Sequence, residues 1–331
     1  MKAATIIGFG LALLATPVLA ATTFTVNPLV ADKKGAPNID PDLKNPWGIS
    51  QFPGGALWVS DNHTGLSTLY DPNTGVKAGL IVTIPGGAPT GQVAVPGGHG
   101  FTVTEGSKSG SASFIFATEN GAIEGWSGSV DTNNAIIAFQ DPQANYKGLA
   151  WDSATNHLFA ANLAGNSVDV FDNTFTRIAS FTDPNLPKKY APFNVAVLNG
   201  LLYVTFGKKK GDDAAEGKGL GYVDVFTTAG VFQKTLIANG PLNAPWGLAI
   251  GPANFGDFAG KLLVGNFGGE GNINAFDPST GALVGTLQTQ NGQPISLEGL
   301  WQLDDTGNGS LTFSAGLRKE KHGLLGLITP N

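Results

Sequence analysis

The chain has 331 residues, of which 42% are hydrophobic and only 13% are charged, a balance that excludes a disordered protein. It contains no cysteine, which excludes disulfides, thiolate metal sites and cysteine nucleophiles. The formal net charge of −6 at pH 7 gives no electrostatic footprint for nucleic acid, so we expect no nucleic-acid partner.

The N-terminus has the organisation of a secretory signal peptide, which we assign to residues 1–20. Lys2 supplies a positive start, residues 3–15 are small and apolar, and the predicted cleavage position lies near Ala20. An uncleaved membrane anchor is the alternative, but the apolar stretch is short for a span. No later segment has 18 consecutive apolar residues, so we expect no transmembrane segment in the mature chain. The sequence therefore predicts secretion to the periplasm or the extracellular space.

The rest of the chain is repetitive. Six short motifs, each followed by an apolar strand, recur roughly every 50 residues, a period typical of propeller blades. The motifs are Asn45-Pro46-Trp47-Gly48, Pro89-Thr90-Gly91, Tyr146-Lys147-Gly148-Leu149, Pro192-Phe193-Asn194, Pro245-Trp246-Gly247 and Glu298-Gly299-Leu300. Five units have room for four strands separated by turn-forming residues, whereas the sixth unit has room for three.

Residues 23–30 form an extended, β-rich segment that can supply the missing strand of the sixth unit. This addition would close the ring and leave no long unpaired sheet edge. We therefore predict an all-β fold, a six-bladed β-propeller of four-stranded antiparallel blades, as one domain over residues 22–328. A five- or seven-bladed ring, a parallel β-helix, a β-sandwich and a pair of small domains fit the repeat less well.

Two sets of motifs carry a resemblance to known propellers. The third strands Ser167-Val168-Asp169-Val170-Phe171-Asp172, Tyr222-Val223-Asp224-Val225-Phe226 and Ile273-Asn274-Ala275-Phe276-Asp277 resemble those of NHL-type and gluconolactonase-like six-bladed propellers. The whole mature chain resembles an uncharacterised family of secreted bacterial propellers. The motifs for this second resemblance are Asn45-Pro46-Trp47-Gly48-Ile49, Phe116-Ala117-Thr118-Glu119-Asn120-Gly121, Ala191-Pro192-Phe193-Asn194, Leu242-Asn243-Ala244-Pro245-Trp246-Gly247-Leu248 and Leu263-Val264-Gly265-Asn266-Phe267-Gly268. The resemblance implies the fold and export, and it implies no particular reaction.

Polar and aromatic residues recur where the first strands begin and the second strands end, which is one face of a propeller. We call this the top face. The candidate ligand-binding residues are Glu119, Glu298, Asn45, Asn194, Trp47 and Trp246. The candidate ligands for Ca²⁺ or Mg²⁺, which prefer carboxylate and amide oxygens, are Glu119, Asn162, Asn194, Asn266 and Glu298. A metal at this position is also what the gluconolactonase-like resemblance implies. The alternative interpretation makes the asparagines turn residues and the tryptophans packing residues.

Two further features need an interpretation. His63 and His322 fall in blades one and six, which neighbour each other in a closed ring, so the pair could form a catalytic base or a zinc or copper site. The basic run Lys208-Lys209-Lys210 is followed closely by acidic residues, and we interpret it as a solvated loop.

Two functional hypotheses remain open. The first is a non-enzymatic secreted or surface module that binds a small molecule, glycan or protein through its top face, because the sequence contains no compact nucleophile motif. The second is a Ca²⁺- or Mg²⁺-dependent hydrolase or lyase of the gluconolactonase-like kind, in which the cation would polarise a carbonyl group.

Overall fold

The computed structural model describes residues 22–305, 307 and 309–331. The predicted signal peptide, residues 1–20, and its cleavage position near Ala20 lie outside these residues. Within the described part of the chain, no helix has both the length and the apolar composition that crossing a membrane requires.

The described strands form six sheets, here called blades 1 to 6, which are antiparallel except for one short parallel pair in blade 6. Two short hairpin additions, one in blade 2 and one in blade 4, extend them. Strands β1 (Phe24–Ala31) and β2 (Asn38–Ile39) come first in the chain but belong to blade 6. Blade 1 contains β3 (Pro46–Ser50), β4 (Leu57–Asp61), β5 (Leu66–Tyr70) and β6 (Lys77–Thr83). Blade 2 contains β7 (Pro89–Ala94), an inserted hairpin of β8 (Thr102–Glu105) and β9 (Lys108–Ser111), then β10 (Phe114–Thr118), β11 (Ala122–Trp126) and β12 (Ile136–Gln140).

The next two blades follow the same order. Blade 3 contains β13 (Tyr146–Asp152), β14 (His157–Asn162), β15 (Ser167–Phe171) and β16 (Arg177–Phe181). Blade 4 contains β17 (Tyr190–Leu198), β18 (Leu201–Lys210), the short β19 (Asp213–Ala214), β20 (Gly221–Thr227) and β21 (Phe232–Ala238). The basic run predicted as a loop is instead the end of β18, because Lys209 and Lys210 pair with β19 in a hairpin.

The last two blades complete the ring. Blade 5 contains β22 (Pro245–Ile250), a 3₁₀ turn at Gly256–Phe258, β23 (Leu262–Asn266), β24 (Ile273–Phe276) and β25 (Leu283–Thr286). Blade 6 contains β26 (Leu300–Asp305), β27 (Leu311–Gly316), a single turn at Leu317–Glu320 and β28 (His322–Pro330), to which β1 adds.

The ring is closed in the way the sequence predicts. Strand β1 pairs antiparallel with β28, with Phe24 opposite Pro330 and Ala31 opposite Leu324. Each blade's first strand contacts the first strand of the next blade, and β26 contacts β3. The predicted six-bladed, all-β propeller is thereby confirmed.

Apolar packing explains why the blades stay together. Among the described residues, one buried hydrophobic cluster lies between each pair of neighbouring blades, and a further cluster lies on the ring axis. The first strands are buried along most of their length, whereas the fourth strands β12, β16 and β25 are largely exposed. Burial therefore decreases from the axis outward, as expected for sheets arranged radially around a channel.

The recurring glycine of the opening motifs has a packing role. A Cβ atom at Gly91 would lie 2.2 Å from the backbone nitrogen of Leu149 in the next blade, and one at Gly48 would lie 2.5 Å from the Thr90 carbonyl oxygen. Neighbouring first strands thus approach each other so closely that only glycine fits at these two positions.

Candidate functional site

A β-bulge interrupts every first strand just below the top face. In all six blades the register between the first and second strands shifts at the opening motif. The residues at the shift, one per blade, are Trp47, Thr90, Lys147, Phe193, Trp246 and Trp301. Bulges redirect side chains, and here they bring residues of different blades together on the axis.

The aromatic residues of this set, Trp47, Phe193, Trp246 and Trp301, form what we call the aromatic plug. Trp47 and Trp301 stack with ring centroids 3.5 Å apart, and Trp246 meets both edge-on at 5.9 and 5.8 Å. Trp47 and Trp246 belong to blades that are not neighbours, so their contact crosses the channel axis. The three tryptophans are at most 1% exposed. Side chains therefore close the channel at this level.

Hydrogen bonds fix two of the three indole rings. The indole N–H of Trp301 donates to Asn45 Oδ1 at 2.9 Å, and that of Trp246 donates to the Lys147 carbonyl oxygen at 3.0 Å. The buried indole nitrogen of Trp47 has no hydrogen-bond partner. Trp47 and Trp246, predicted as candidate ligand contacts, therefore lie beneath the site as packing residues, which was the alternative interpretation.

Lys147 places a buried charge next to the plug. Its side chain is fully buried, and its ammonium nitrogen lies 5.2 Å from the centre of the Trp47 ring, within the range of a cation–π interaction. The same nitrogen forms an ion pair with Glu119 of the neighbouring blade. A buried ammonium needs such a partner, because desolvating an unpaired charge is very costly.

Glu119 contacts this ammonium, and Asp213 and Glu320 lie close enough for its charge to favour their ionised forms. We call these three carboxylates the acidic cup. Asn62 Nδ2 donates to Glu119 Oε2 at 3.0 Å, and Asn45 Nδ2 donates to Glu320 Oε2 at 3.0 Å. The third member is half-buried on β19, and its neighbour Ala214 packs into the axial cluster. The inserted hairpin of blade 4 thus brings a third carboxylate to the channel mouth.

The charges of the cup are not balanced, and the pKa values reflect this. Burial, followed by repulsion from Asp213 and Glu119, raises the pKa of Glu320 to about 7. Burial also raises the pKa of Asp213, although Lys147 opposes the shift. Burial lowers the pKa of His63, whose Nε2 lies 4.0 Å from Glu320 Oε2. A carboxylic acid that titrates near neutral pH therefore lies beside a largely neutral imidazole.

Glu320 is held in place by an unusual backbone. Arg318, Lys319 and Glu320 are consecutive and have φ values of 53°, 57° and 66°, which makes one left-handed turn. This conformation costs roughly 1–2 kcal/mol per residue that is not glycine. Glu298 Oε1 accepts a hydrogen bond of 3.2 Å from the Lys319 backbone N–H and so supports the turn. Backbone strain of this kind clusters at functional sites in proteins.

Two open cavities flank the cup on the top face. One, of about 400 Å³, is lined by three glutamates, one lysine and the partly buried ring of Phe267. The charged residues are Glu216, Glu298, Lys319 and Glu320. The other, of about 610 Å³, includes Glu119 among its lining residues. Both provide space next to a cup carboxylate for a ligand.

The predicted metal ligands are distributed differently from what the motifs suggested. The side-chain oxygen of Asn162 accepts from the Asn145 and Gly165 N–H groups, and that of Asn266 accepts from Asn243 N–H at 2.9 Å. Asn194 accepts from its neighbour's N–H and donates to the Trp246 carbonyl oxygen. These asparagines hold the backbone of the opening motifs. Among the described residues, no group of three or more His, Asp or Glu side chains is arranged to hold a metal ion.

The remaining predicted residues separate into two places. Glu119 and Asn45 lie in or beside the cup, whereas Glu298 is exposed at its rim.

The two histidines have different partners, because His322 Nδ1 lies 2.8 Å from Asp32 Oδ2 while His63 lies beside Asn45 and Glu320. The sequence motifs did not indicate a role for Lys147, Asp213 or Glu320. One signal was available, since Lys147 is the only charged residue at the six bulge positions.

The fold and this channel mouth define a class of protein, a six-bladed β-propeller with an acidic cup over an aromatic plug. No protein-family model matches the chain. It is 31% identical to the uncharacterised protein R648 of Acanthamoeba polyphaga mimivirus, with 94% of this chain and 82% of that protein covered. It is 32% identical to the uncharacterised protein L690 of the same virus, with 94% and 87% covered. The chain belongs to the family of these two proteins.

A solved structure shares the fold. The structure described as streptogramin B lyase aligns with a TM-score of 0.54 and 15% sequence identity, over 92% of this chain and 98% of that chain. At this identity the similarity shows the fold alone.

Proposed function

We propose that this propeller is a binding module whose acidic cup holds a small organic cation, an ammonium or guanidinium compound. One observation carries the proposal: the ammonium of Lys147 pairs with Glu119, and Asp213 and Glu320 lie near enough for the same ammonium to favour their ionised forms. The negative charges therefore exceed the positive ones at a partly solvated site, and a cationic ligand would relieve their repulsion. We further propose that the module acts outside the cell, as the predicted signal peptide implies.

The geometry favours a cation next to Glu320. Its side chain is 26% exposed, so a ligand can reach it, whereas the aromatic plug below is buried. The flanking cavity beside it is lined by Glu216, Glu298, Lys319 and the ring of Phe267. Together with Glu320 its carboxylates outnumber its one ammonium, a combination that suits an organic cation with an apolar body. Glycans and nucleic acids offer no positive group to this surface.

A pair of ligands with matched shape tests the proposal. Benzamidine is cationic and benzamide is its neutral counterpart, so we expect calorimetric titration to show at least tenfold tighter binding of benzamidine. Glu320→Gln should weaken benzamidine at least fivefold, because one ion pair near 4 Å is worth about 1 kcal/mol even in water. Glu105→Gln, which removes an exposed carboxylate on β8, is the control and should leave the affinity unchanged. Equal binding of both ligands, or no effect of Glu320→Gln, would refute the proposal.

The affinity should also depend on pH with a predictable sign. The cation favours the ionised form of Glu320, whose pKa is about 7 in the free protein. Benzamidine binding should therefore strengthen roughly tenfold between pH 6 and pH 8, with proton release on binding near pH 7. A flat profile would contradict the role of Glu320.

A divalent cation is the competing occupant of the same place. Carboxylate oxygens of Glu119 and Glu320 suit Ca²⁺ or Mg²⁺, and a metal-dependent hydrolase or lyase would use them to hold that ion. Titration with CaCl₂ and MgCl₂ distinguishes the two functions. Saturable metal binding that is lost in both Glu119→Gln and Glu320→Gln, and that prevents benzamidine binding, would favour the metal-dependent enzyme.

A further inference from the structure

The central channel continues below the aromatic plug as a blind cavity. This cavity, of about 270 Å³, opens on the face opposite the acidic cup, and residues of all six first strands line it. The plug closes its inner end, so it has one entrance. We call it the lower cavity. A cavity of this size has room for several waters or for a small organic ligand.

Two polar groups of the lower cavity have no partner. Ser50 is 8% exposed, and its buried hydroxyl oxygen has no hydrogen-bond partner among the described residues. Within the described part of the chain, the carboxylate of Asp304 on β26 neither accepts a side-chain hydrogen bond nor forms an ion pair. Buried polar groups in native proteins are nearly always satisfied, so the buried hydroxyl of Ser50 indicates a missing partner. The half-buried carboxylate of Asp304 lines the same cavity and can contact that partner.

The charge of the lower cavity has one sign. Among the described residues that line it, Asp304 alone is charged. Burial, with repulsion from the adjacent Asp305, raises the pKa of Asp304 to about 6, so the group is still mostly ionised at neutral pH. A carboxylate in this surrounding attracts a positively charged group more strongly than one in open water.

The remaining walls combine aliphatic side chains with the side-chain amides of Gln51, Gln92, Asn194 and Gln302. Aliphatic side chains from four different first strands line the cavity, and Trp151 contributes an indole ring. These residues are Ile49, Val93, Leu149, Val195 and Val197. A ligand that fits therefore has one cationic hydrogen-bond donor and a short apolar body.

We propose that the lower cavity is a second binding site, for a small primary amine whose ammonium group pairs with Asp304 and donates to the Ser50 hydroxyl. Its alkyl chain packs against the aliphatic first strands. The site is separate from the acidic cup, because the plug lies between them and no cup residue lines the cavity. The proposal for the lower cavity therefore does not depend on the proposal for the acidic cup, and each can fail without the other.

The tryptophans provide a readout that locates the ligand. In a ¹⁵N-labelled protein the indole N–H of Trp151, which donates to Asn156 Oδ1 at 3.2 Å, reports on the lower cavity. The indoles of Trp47, Trp246 and Trp301 report on the plug. Titration with n-butylammonium chloride should shift the Trp151 resonance saturably, whereas 1-butanol and NaCl at the same ionic strength should not. An equal response to 1-butanol would overturn the proposal.

Two neighbouring aspartates supply a matched pair of variants. Asp304→Asn removes the carboxylate from the cavity and should weaken n-butylammonium binding at least fivefold. Asp305→Asn removes the same charge one residue away, on an exposed side chain, and should leave the affinity within twofold. Ser50→Ala removes the unpaired hydroxyl without removing charge and should weaken binding about threefold, which keeps the test valid if Asp304→Asn does not fold. Shifts of the plug indoles without Trp151, or unchanged affinity in both Asp304→Asn and Ser50→Ala, would refute the second site.

Discussion

Asp224, on the third strand of blade 4, should make the protein less stable as the pH rises. Its side chain is fully buried, the Thr235 hydroxyl gives its ionised form only partial support, and the nearby Asp183 has one unpaired buried oxygen. Burial, with a further contribution from the charge of Asp183, raises the pKa of Asp224 to about 7. The folded protein therefore binds this proton more tightly than the unfolded chain does.

The magnitude follows from the difference between the two pKa values. The ordinary value is 3.8, and each unit of pKa corresponds to about 1.4 kcal/mol. Because the folded-state pKa is raised, Asp224 does not lower the free energy of unfolding below pH 3.8, where it is protonated in both states. Its destabilising effect grows between pH 3.8 and pH 7 and reaches about 4 kcal/mol above pH 7. Asp224→Asn removes it, and the new amide can donate a hydrogen bond to the unpaired oxygen of Asp183.

Urea unfolding at pH 5 and pH 8 measures the effect. Asp224→Asn should stabilise the protein by several kcal/mol at pH 8 and by clearly less at pH 5, so the gain itself depends on pH. Asp257→Asn, at an exposed position, is the control and should change stability by less than about 0.5 kcal/mol at both values. A variant that is less stable than the parent at pH 8, or a gain that is equal at both pH values, would refute the reasoning.

Three further variants test the packing of the ring and of the cup. Gly91→Ala places a Cβ 2.2 Å from the Leu149 nitrogen and should lower thermal stability severely, whereas Gly97→Ala, with open space around it, should be neutral. Lys319→Gly removes the backbone strain of the left-handed turn and should raise the free energy of unfolding by roughly 1 kcal/mol. A lower free energy of unfolding in this variant would contradict the presence of that strain. Lys147→Met leaves the cup carboxylates without their cation and should cost roughly 3–5 kcal/mol. That loss should be larger at pH 8 than at pH 5 in urea unfolding, and an equal loss would argue against the charge imbalance.

The sequence repeat was sufficient to predict the six-bladed ring, because each blade packs its first strand against that of the next blade. A glycine recurs in most opening motifs where neighbouring first strands approach, and that recurrence is visible in one sequence. The prediction that residues 23–30 supply the missing strand of the sixth unit was also correct, since an unpaired sheet edge must be covered. The inserted hairpins were missed. Strands β8, β9 and β19 occur once each, so no period reveals them.

The acidic cup could be predicted only in part, because its members meet through tertiary contacts. Glu119 was selected as a glutamate where turn chemistry does not require one, and it does lie in the cup. Lys147 was not assigned a role because a lysine is expected at the surface, and its partner belongs to another blade. Glu320 was not selected because consecutive Arg, Lys and Glu residues ordinarily avoid the left-handed backbone conformation, so the sequence did not indicate the turn that positions this side chain.

Ring closure between β1 and β28 also has a kinetic consequence. Thr25 Oγ1 donates to Asn331 Oδ1 across 306 positions of the chain, so the two ends of the described structure are joined edge to edge. Such a contact has a very high sequence separation, and its loop-closure entropy must be overcome before the sixth blade exists. The closing blade should thus be the last to fold. Circular permutation that links the two ends and opens the chain between blades 3 and 4 would make this contact local and move the late step to another blade.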